Sequence, residues 1–217
     1  MIPMKKKKDV LAIVETLKEA YPEAVCSLDY AKPYELMFAT RLAAQCTDER
    51  VNKVTPGLYG RFPTLEALAE ADVSEVEEYI HSTGFFRAKA RDIVACAQKL
   101  VNEYGGRVPG TMEELTGLPG VGRKTANLIL GDVFGQPAYV CDTHCIRITG
   151  RLGITDGSKD PLQVERQLRE RIPPKESNNF CHRMVLFGRD TCTARSPKCE
   201  GCPLAKDCDT AKAARRG

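Results

Sequence analysis

Four cysteines near the C-terminus, Cys192, Cys199, Cys202 and Cys208, are spaced C-x6-C-x2-C-x5-C, which gathers four thiols within 17 residues. Pro197, Gly201 and Pro203 stand between and beside them, turn formers that let so short a segment wrap one centre. Four soft sulfurs suit a four-iron, four-sulfur cluster or a zinc ion, and spacing alone does not choose between the two. A second group lies at 115–127, Leu-Thr-Gly-Leu-Pro-Gly-Val-Gly-Arg-Lys-Thr-Ala-Asn. Gly120 and Gly122 permit a tight turn, and the turn leaves backbone N–H groups free at the start of a helix, which favours an anion such as a nucleic-acid phosphate. A nucleotide-binding P-loop fits less well, because no Gly-Lys-Ser/Thr triplet is present. Lys124 follows the turn. The positive end of the helix dipole disfavours a charged ammonium there, and a neutral amine is a nucleophile able to form a Schiff base. Asp142, in Val140-Cys141-Asp142-Thr143-His144, reads either as the N-cap of a helix starting at Thr143 or as a carboxylate that handles protons.

The elements that position these residues are helical almost throughout. Val10, Ile13, Val14 and Leu17 recur at i, i+3, i+4, i+7 and share one face of a first helix. Pro33 opens a second, and Thr47 with Asp48 and Glu49 opens a third. Ser74 and Glu77 have the capping-box pattern, with Gly84 near the far end of that segment. Ile93, Ala97, Leu100, Val101 and Tyr104 form a stripe that Gly105-Gly106 stops. Thr111 and Glu114 predict a short helix before the glycine turn, and Ala126, Ile129, Leu130 and Val133 a longer one after it. Leu162, Leu168 and Ile172, then Phe180, Met184 and Phe187, predict two more. The nearest approach to a strand, Ala138–Cys141, is too short to seed a sheet. The class is all-α, without a fixed-period repeat or a low-complexity linker, and Lys5–Lys8 reads as a solvated, frayed end.

With 217 residues the chain has ample length for a buried core, and 42% hydrophobic against 28% charged residues is an ordinary balance. No apolar run approaches 18 residues, so no membrane-spanning helix is expected. Trp is absent and aromatics are 6%, which disfavours a carbohydrate-stacking surface. The net charge is only +3, so binding to nucleic acid must rest on local charge and geometry. Between Arg183 and Gly217 eight Lys/Arg face four Asp/Glu, which makes that end locally basic. No secretory signal is visible, and ten Cys in a reducing compartment read as ligands or buried thiols. Cys26, Cys46, Cys96, Cys141, Cys145 and Cys181 are scattered and read as small buried hydrophobes.

Taken together, the Leu118–Asn127 turn, the Asp142-Thr143-His144 triplet and the four-cysteine tail resemble the endonuclease III family of DNA glycosylases in the helix-hairpin-helix superfamily. Ala44-Gln45-Cys46-Thr47-Asp48 and the stretch from His81 to Ala90 add to the resemblance, which is nearly full length. It implies a helix-hairpin-helix DNA glycosylase fold, with a six-helix barrel domain over 26–135 containing the hairpin at about 111–134. It also implies a cluster domain over 136–217 with the cysteine loop at 192–208, an N-terminal helix over 1–25 packing with it, and an active-site cleft between the domains. The implied activity is removal of oxidised pyrimidines from duplex DNA, followed by cleavage at the abasic site, with the target base taken out of the stack. Lys124 is then the nucleophile and Asp142 its proton-handling partner. Gln45 fills the gap left by the flipped nucleotide, and Phe85 takes a second wedge position where the resemblance implies Leu. Leu118, Gly120, Val121, Gly122, Arg123, Thr125 and His144 are implied DNA contacts, as are Arg195 and Lys198 on the cysteine loop. The resemblance also selects a 4Fe-4S cluster over zinc on Cys192, Cys199, Cys202 and Cys208. It further implies a monomer acting on duplex DNA at the cytoplasmic nucleoid, without a membrane partner.

Two other readings fit parts of the chain. A monofunctional mismatch or adenine DNA glycosylase would lack a lysine at the hairpin, and Lys124 argues against it. A non-catalytic iron–sulfur DNA-binding module would not need Lys124 and Asp142 together.

Overall fold

The computed structural model describes residues 4–214. The helices are α1 (Lys7–Ala20), α2 (Pro33–Leu42), α3 (Asp48–Arg61), α4 (Leu65–Ala69), α5 (Val73–Ile80) and α6 (Phe86–Tyr104). They continue as α7 (Met112–Thr116), α8 (Arg123–Asp132), α9 (Thr143–Leu152), α10 (Pro161–Arg171), α11 (Ser177–Asp190) and α12 (Asp209–Ala214). Short 3-10 turns lie at His81–Thr83 and Pro174–Glu176. No strand occurs among the described residues, and none of their helices is long and apolar enough to cross a membrane. The chain divides into two compact units, one of Cys26–Gly135 and one of Met1–Val25 with Gln136–Gly217.

In the central unit α4 and α5 pack on α6, and α2 and α7 pack on α8. The core is built from the predicted stripes: Leu36, Ala39 and Leu42 of α2, Ile93, Ala97 and Leu100 of α6, and Ala126 and Ile129 of α8 are buried. Each large apolar side chain so buried contributes roughly 1.5–3 kcal/mol. Capping sets the helix starts. The Thr47, Thr64 and Thr111 side chains accept backbone N–H groups of Arg50, Ala67 and Glu114, which costs about 1 kcal/mol each to lose. The cap of α5 differs from the sequence pattern: Asp72, not Ser74, accepts the Ser74 N–H at 2.7 Å. A carboxylate two positions earlier competes better for the free donors, and the hydrogen bonds from Ser74 hold it below the usual carboxylate range.

In the other unit α9 packs against α11, with α1 on α11 and α12 on α9. The α1 stripe of Val10, Ile13, Val14 and Leu17 is buried, which is why an N-terminal helix belongs with the C-terminal segment. Polar ties fix it there. The Lys18 ammonium lies 3.2 Å from Glu176, Arg183 donates to the Tyr21 carbonyl at 3.3 Å, and the Tyr21 ring meets Phe187 edge-on. The Lys5–Lys8 end is not simply frayed. The Lys5 amide donates to the Gly153 carbonyl at 2.8 Å, its ammonium pairs with Asp209, and its carbonyl accepts from Arg171. On α10 the buried apolar residues are Val164 and Leu168, whereas Leu162, in the first turn, is half-exposed. Cys96, Cys141, Cys145 and Cys181 are buried, as their hydrophobic reading requires, but Cys26 and Cys46 are only half-buried.

Candidate functional site

The glycine turn sits between α7 and α8. The Gly117 amide closes α7 on the Glu113 and Glu114 carbonyls, and the Val121 amide closes a turn on the Leu118 carbonyl at 3.2 Å. Gly120 has φ +71°, and a Cβ there would stand 2.8 Å from Cβ of Asp92, so both conformation and space demand glycine. Asp92 is itself held by Arg41, whose Nε and Nη2 each lie 2.7 Å from Oδ2. Gly122 is the N-cap of α8, and its carbonyl accepts the Ala126 N–H at 2.9 Å, the first rung of the helix ladder. Leu118, Val121 and Thr125 are buried, so these three offer backbone and not side chain to a ligand. Arg123 and Lys124 are exposed in the first turn of α8.

Gln45 and Phe85 are exposed, and Phe85 keeps 69% of its surface accessible. They are also the non-glycine residues with positive φ among those described, at 55° and 48°. Left-handed backbone at such residues costs roughly 1–2 kcal/mol each, so the surrounding structure must hold it in place. Gln45 lies in the turn between α2 and α3, and Phe85 is the N-cap of α6. Beneath both loops is Lys89, fully buried on the apolar stripe of α6. Its ammonium donates to the Leu42 carbonyl at 2.7 Å and the Thr83 carbonyl at 2.9 Å. Burial pushes this amine below its ordinary value, while the nearby Cys46 thiol acts the other way. Sequence reading overlooked Lys89; the available signal was a cation at i−4 to Ile93 within an apolar stripe.

In the second unit Asp142 is the N-cap of α9 and is half-buried, with Oδ1 accepting the Cys145 N–H at 2.7 Å. Cys145, fully buried, shares hydrogen bonds with the Cys141 and Cys181 thiols, and these bonds together with burial push it well up. His144, proposed as a DNA contact, packs against Gly188, with Nδ1 3.3 Å from Nη2 of Arg147.

Cys192, Cys199, Cys202 and Cys208 line one cavity of about 100 Å³ together with Leu152, Phe187 and Ala205. Burial pushes the Cys202 thiol up, and the other three, facing it, add to the effect. Four thiols lining one apolar chamber offer the soft sulfur set that an iron–sulfur cluster or a zinc ion takes. Two arginines of α9, also overlooked in the sequence, shape this chamber. Arg151 donates to Sγ of Cys192 at 3.4 Å and to the Thr193 and Ala194 carbonyls at 2.8 Å. Arg147 donates to the Cys192 carbonyl at 2.8 Å. The signal was an i, i+4 arginine pair on a helix with an apolar opposite face. On the loop itself Arg195 is exposed, and Lys198 lies 3.8 Å from Asp190.

An all-helical unit with a glycine hairpin, joined in one chain to a four-cysteine chamber, defines a helix-hairpin-helix DNA repair protein with an iron–sulfur domain. Residues 38–174 match the HhH-GPD superfamily of base excision DNA repair proteins, and residues 192–208 match the iron–sulfur binding domain of endonuclease III. The chain is 51% identical to endonuclease III of Synechocystis sp. over 96% of its length and 95% of that protein's. It is 38% identical to endonuclease III of Escherichia coli K12, covering 92% and 94%. A solved structure described as a trapped endonuclease III–DNA covalent intermediate superposes with a TM-score of 0.93 at 40% identity, covering 98% of this chain and 100% of that one. A thermostable thymine-DNA glycosylase, 22% identical, shares the fold with a TM-score of 0.83. The chain belongs to the endonuclease III family.

Proposed function

We propose that this chain removes oxidised pyrimidines from duplex DNA and then cleaves the strand 3′ to the abasic site by β-elimination. The observation that carries this reading is Lys124, exposed in the first turn of α8 beside the glycine hairpin, in a chain that superposes closely on an endonuclease III structure described as a covalent intermediate with DNA. The target nucleotide is extruded from the stack, with Gln45 and Phe85 entering the space it leaves. The Lys124 amine attacks C1′ of the sugar, the bond from C1′ to the base breaks, and the base departs with a proton. Asp142 takes up the proton released by the amine and stabilises the positive charge that develops on the sugar. The C1′–O4′ bond then opens, O4′ taking the proton held by Asp142, and the resulting iminium acidifies the C2′ hydrogen. Its removal expels the 3′ phosphate, breaking the C3′–O bond. Water then hydrolyses the imine and restores the amine.

The backbone N–H groups of Gly120, Gly122 and Arg123 take a DNA phosphate without reading sequence, and Thr125 supports that turn from within. Arg195 and Lys198 reach further phosphates, for which Lys198 leaves its exposed pairing with Asp190. The four cysteines hold a 4Fe-4S cluster. When bound, it supplies a rigid, charged core for the 192–208 loop, and so fixes the loop's basic side chains. The substrate places the enzyme at the cytoplasmic nucleoid, where a monomer suffices.

Borohydride trapping on a duplex carrying one thymine glycol tests the reading. Wild type is expected to give a covalent adduct and Lys124→Ala none, with DNA binding retained. Strand cleavage by Lys124→Ala would overturn it.

A further inference from the structure

The two exposed loops that carry Gln45 and Phe85 are separated by 40 positions in sequence yet meet at one buried nitrogen. The Leu42 carbonyl belongs to the last residue of α2, three positions before Gln45. The Thr83 carbonyl ends the 3-10 turn, two positions before Phe85. Both carbonyls lie at helix ends, where the intrahelical donor that would have satisfied them is missing. Lys89 replaces both donors from below. Its own backbone is tied to the same loop, because the Lys89 amide donates to the Phe85 carbonyl at 3.2 Å.

A fully buried ammonium on two neutral carbonyls is not what packing alone would select, since an apolar side chain fits such a stripe without a desolvation cost. What the ammonium adds is a fixed spacing between two chain ends, each leading into a residue held in left-handed conformation. One carbonyl could be satisfied by water or by a serine; holding two segments at once needs a group with several donors on a long stem.

We propose that Lys89 is a positioning residue for base extrusion, clamping the Gln45 and Phe85 loops at one separation so that both enter the duplex together. The proposal rests on the reading of Gln45 and Phe85 as the wedge pair, so the test separates the two ideas. The chemistry at Lys124 needs no wedge when the substrate is an abasic site in a single strand. Lys89→Met, which keeps bulk and removes the donors, therefore affects duplex and single-strand reactions differently. Single-turnover release of thymine glycol from duplex DNA is expected to fall on the order of tenfold to a hundredfold, as for a misplaced positioning group. Cleavage of the single-stranded abasic oligonucleotide is expected to stay within about twofold, because that reaction does not call on the clamp. A 2-aminopurine placed opposite the lesion, whose fluorescence rises on unstacking with wild type, is expected to stay quenched with Lys89→Met. Lys89→Gln, which returns two N–H donors on a shorter stem, is expected to recover part of both signals.

Gln45→Ala and Phe85→Ala run alongside. If they leave the duplex-to-single-strand ratio unchanged, the wedge reading fails and the clamp falls with it. If they lower the ratio and Lys89→Met does not, the clamp alone is wrong. An equal fall on both substrates, or loss of helicity in both Lys89 variants, would make Lys89 a general core group and overturn the local role.

Discussion

The carboxylate of Asp142 accepts the backbone N–H of Cys145 at 2.7 Å. The helix-cap and catalytic readings of this residue are therefore compatible: Oδ1 is committed to α9, which leaves Oδ2 for a proton. They are separable by substitution. Asparagine caps as well as aspartate, so Asp142→Asn is expected to change unfolding free energy by less than about 1 kcal/mol. Loss of the proton acceptor is expected to slow single-turnover base release by roughly a hundredfold or more. Asp142→Ala loses both and should cost about 1 kcal/mol of stability in addition. An Asp142→Asn enzyme with an unchanged rate would leave Asp142 a cap alone.

The two glycines of the hairpin are expected to respond differently. At Gly120 an added methyl meets Asp92 and must also adopt φ +71°. Gly120→Ala is expected to destabilise the protein by roughly 1–3 kcal/mol and to displace the Asp92–Arg41 pair beneath the turn. Affinity should weaken equally for damaged and undamaged duplex, since the lost contact is to phosphate. Gly122 has φ −92° and nothing within 4 Å of an added Cβ. Gly122→Ala should retain most of the binding, at the modest cost of a poorer N-cap. Thermal melts and fluorescence anisotropy on both duplexes check the pair; equal losses from the two substitutions would contradict the assignment of Asp92 as the obstacle.

What was legible in the sequence was whatever rests on short spacing. The α1 stripe, the threonine caps of α3 and α7, the Asp142 cap and the cysteine set are all local patterns, and local geometry decides them. What was not legible depends on groups brought together from a distance. Lys89 satisfies carbonyls 47 and 6 positions away, and no periodicity announces that. Arg151 reaches the cysteine loop across 41 positions. Cys141 and Cys145 showed only their i, i+4 spacing, and Cys181 of α11 completes a buried thiol group that adjoins Asp142. Lys5 read as a frayed end because its partner Asp209 lies 204 positions further on. The cap of α5 departs from its local pattern for the opposite reason: two capping residues stand two positions apart, and Asp72, the better acceptor, takes the Ser74 N–H.

Arg151 makes the most direct polar contact with the cysteine chamber, donating to Sγ of Cys192 and to two carbonyls of the following turn, while its own carbonyl accepts from Thr210 Oγ1. The backbone bond survives any substitution; the guanidinium bonds do not. A guanidinium N–H facing a thiolate is a charge-assisted donor, and its fork geometry also fixes the 193–194 backbone. Arg151→Met is therefore expected to keep α9 and the four ligands yet loosen the loop, losing about 0.5–1.5 kcal/mol for each bond removed. The readout is iron per chain and visible absorbance after gel filtration: four irons in wild type, with faster loss to a chelator in the variant. Arg151→Lys keeps the charge but reaches fewer acceptors, and should fall between the two. Base release measured on fully loaded protein should change less than iron retention does, because Arg151 acts on the loop and not on the sugar. Iron retention identical to wild type in Arg151→Met would show that the four cysteines and the apolar wall hold the loop without it.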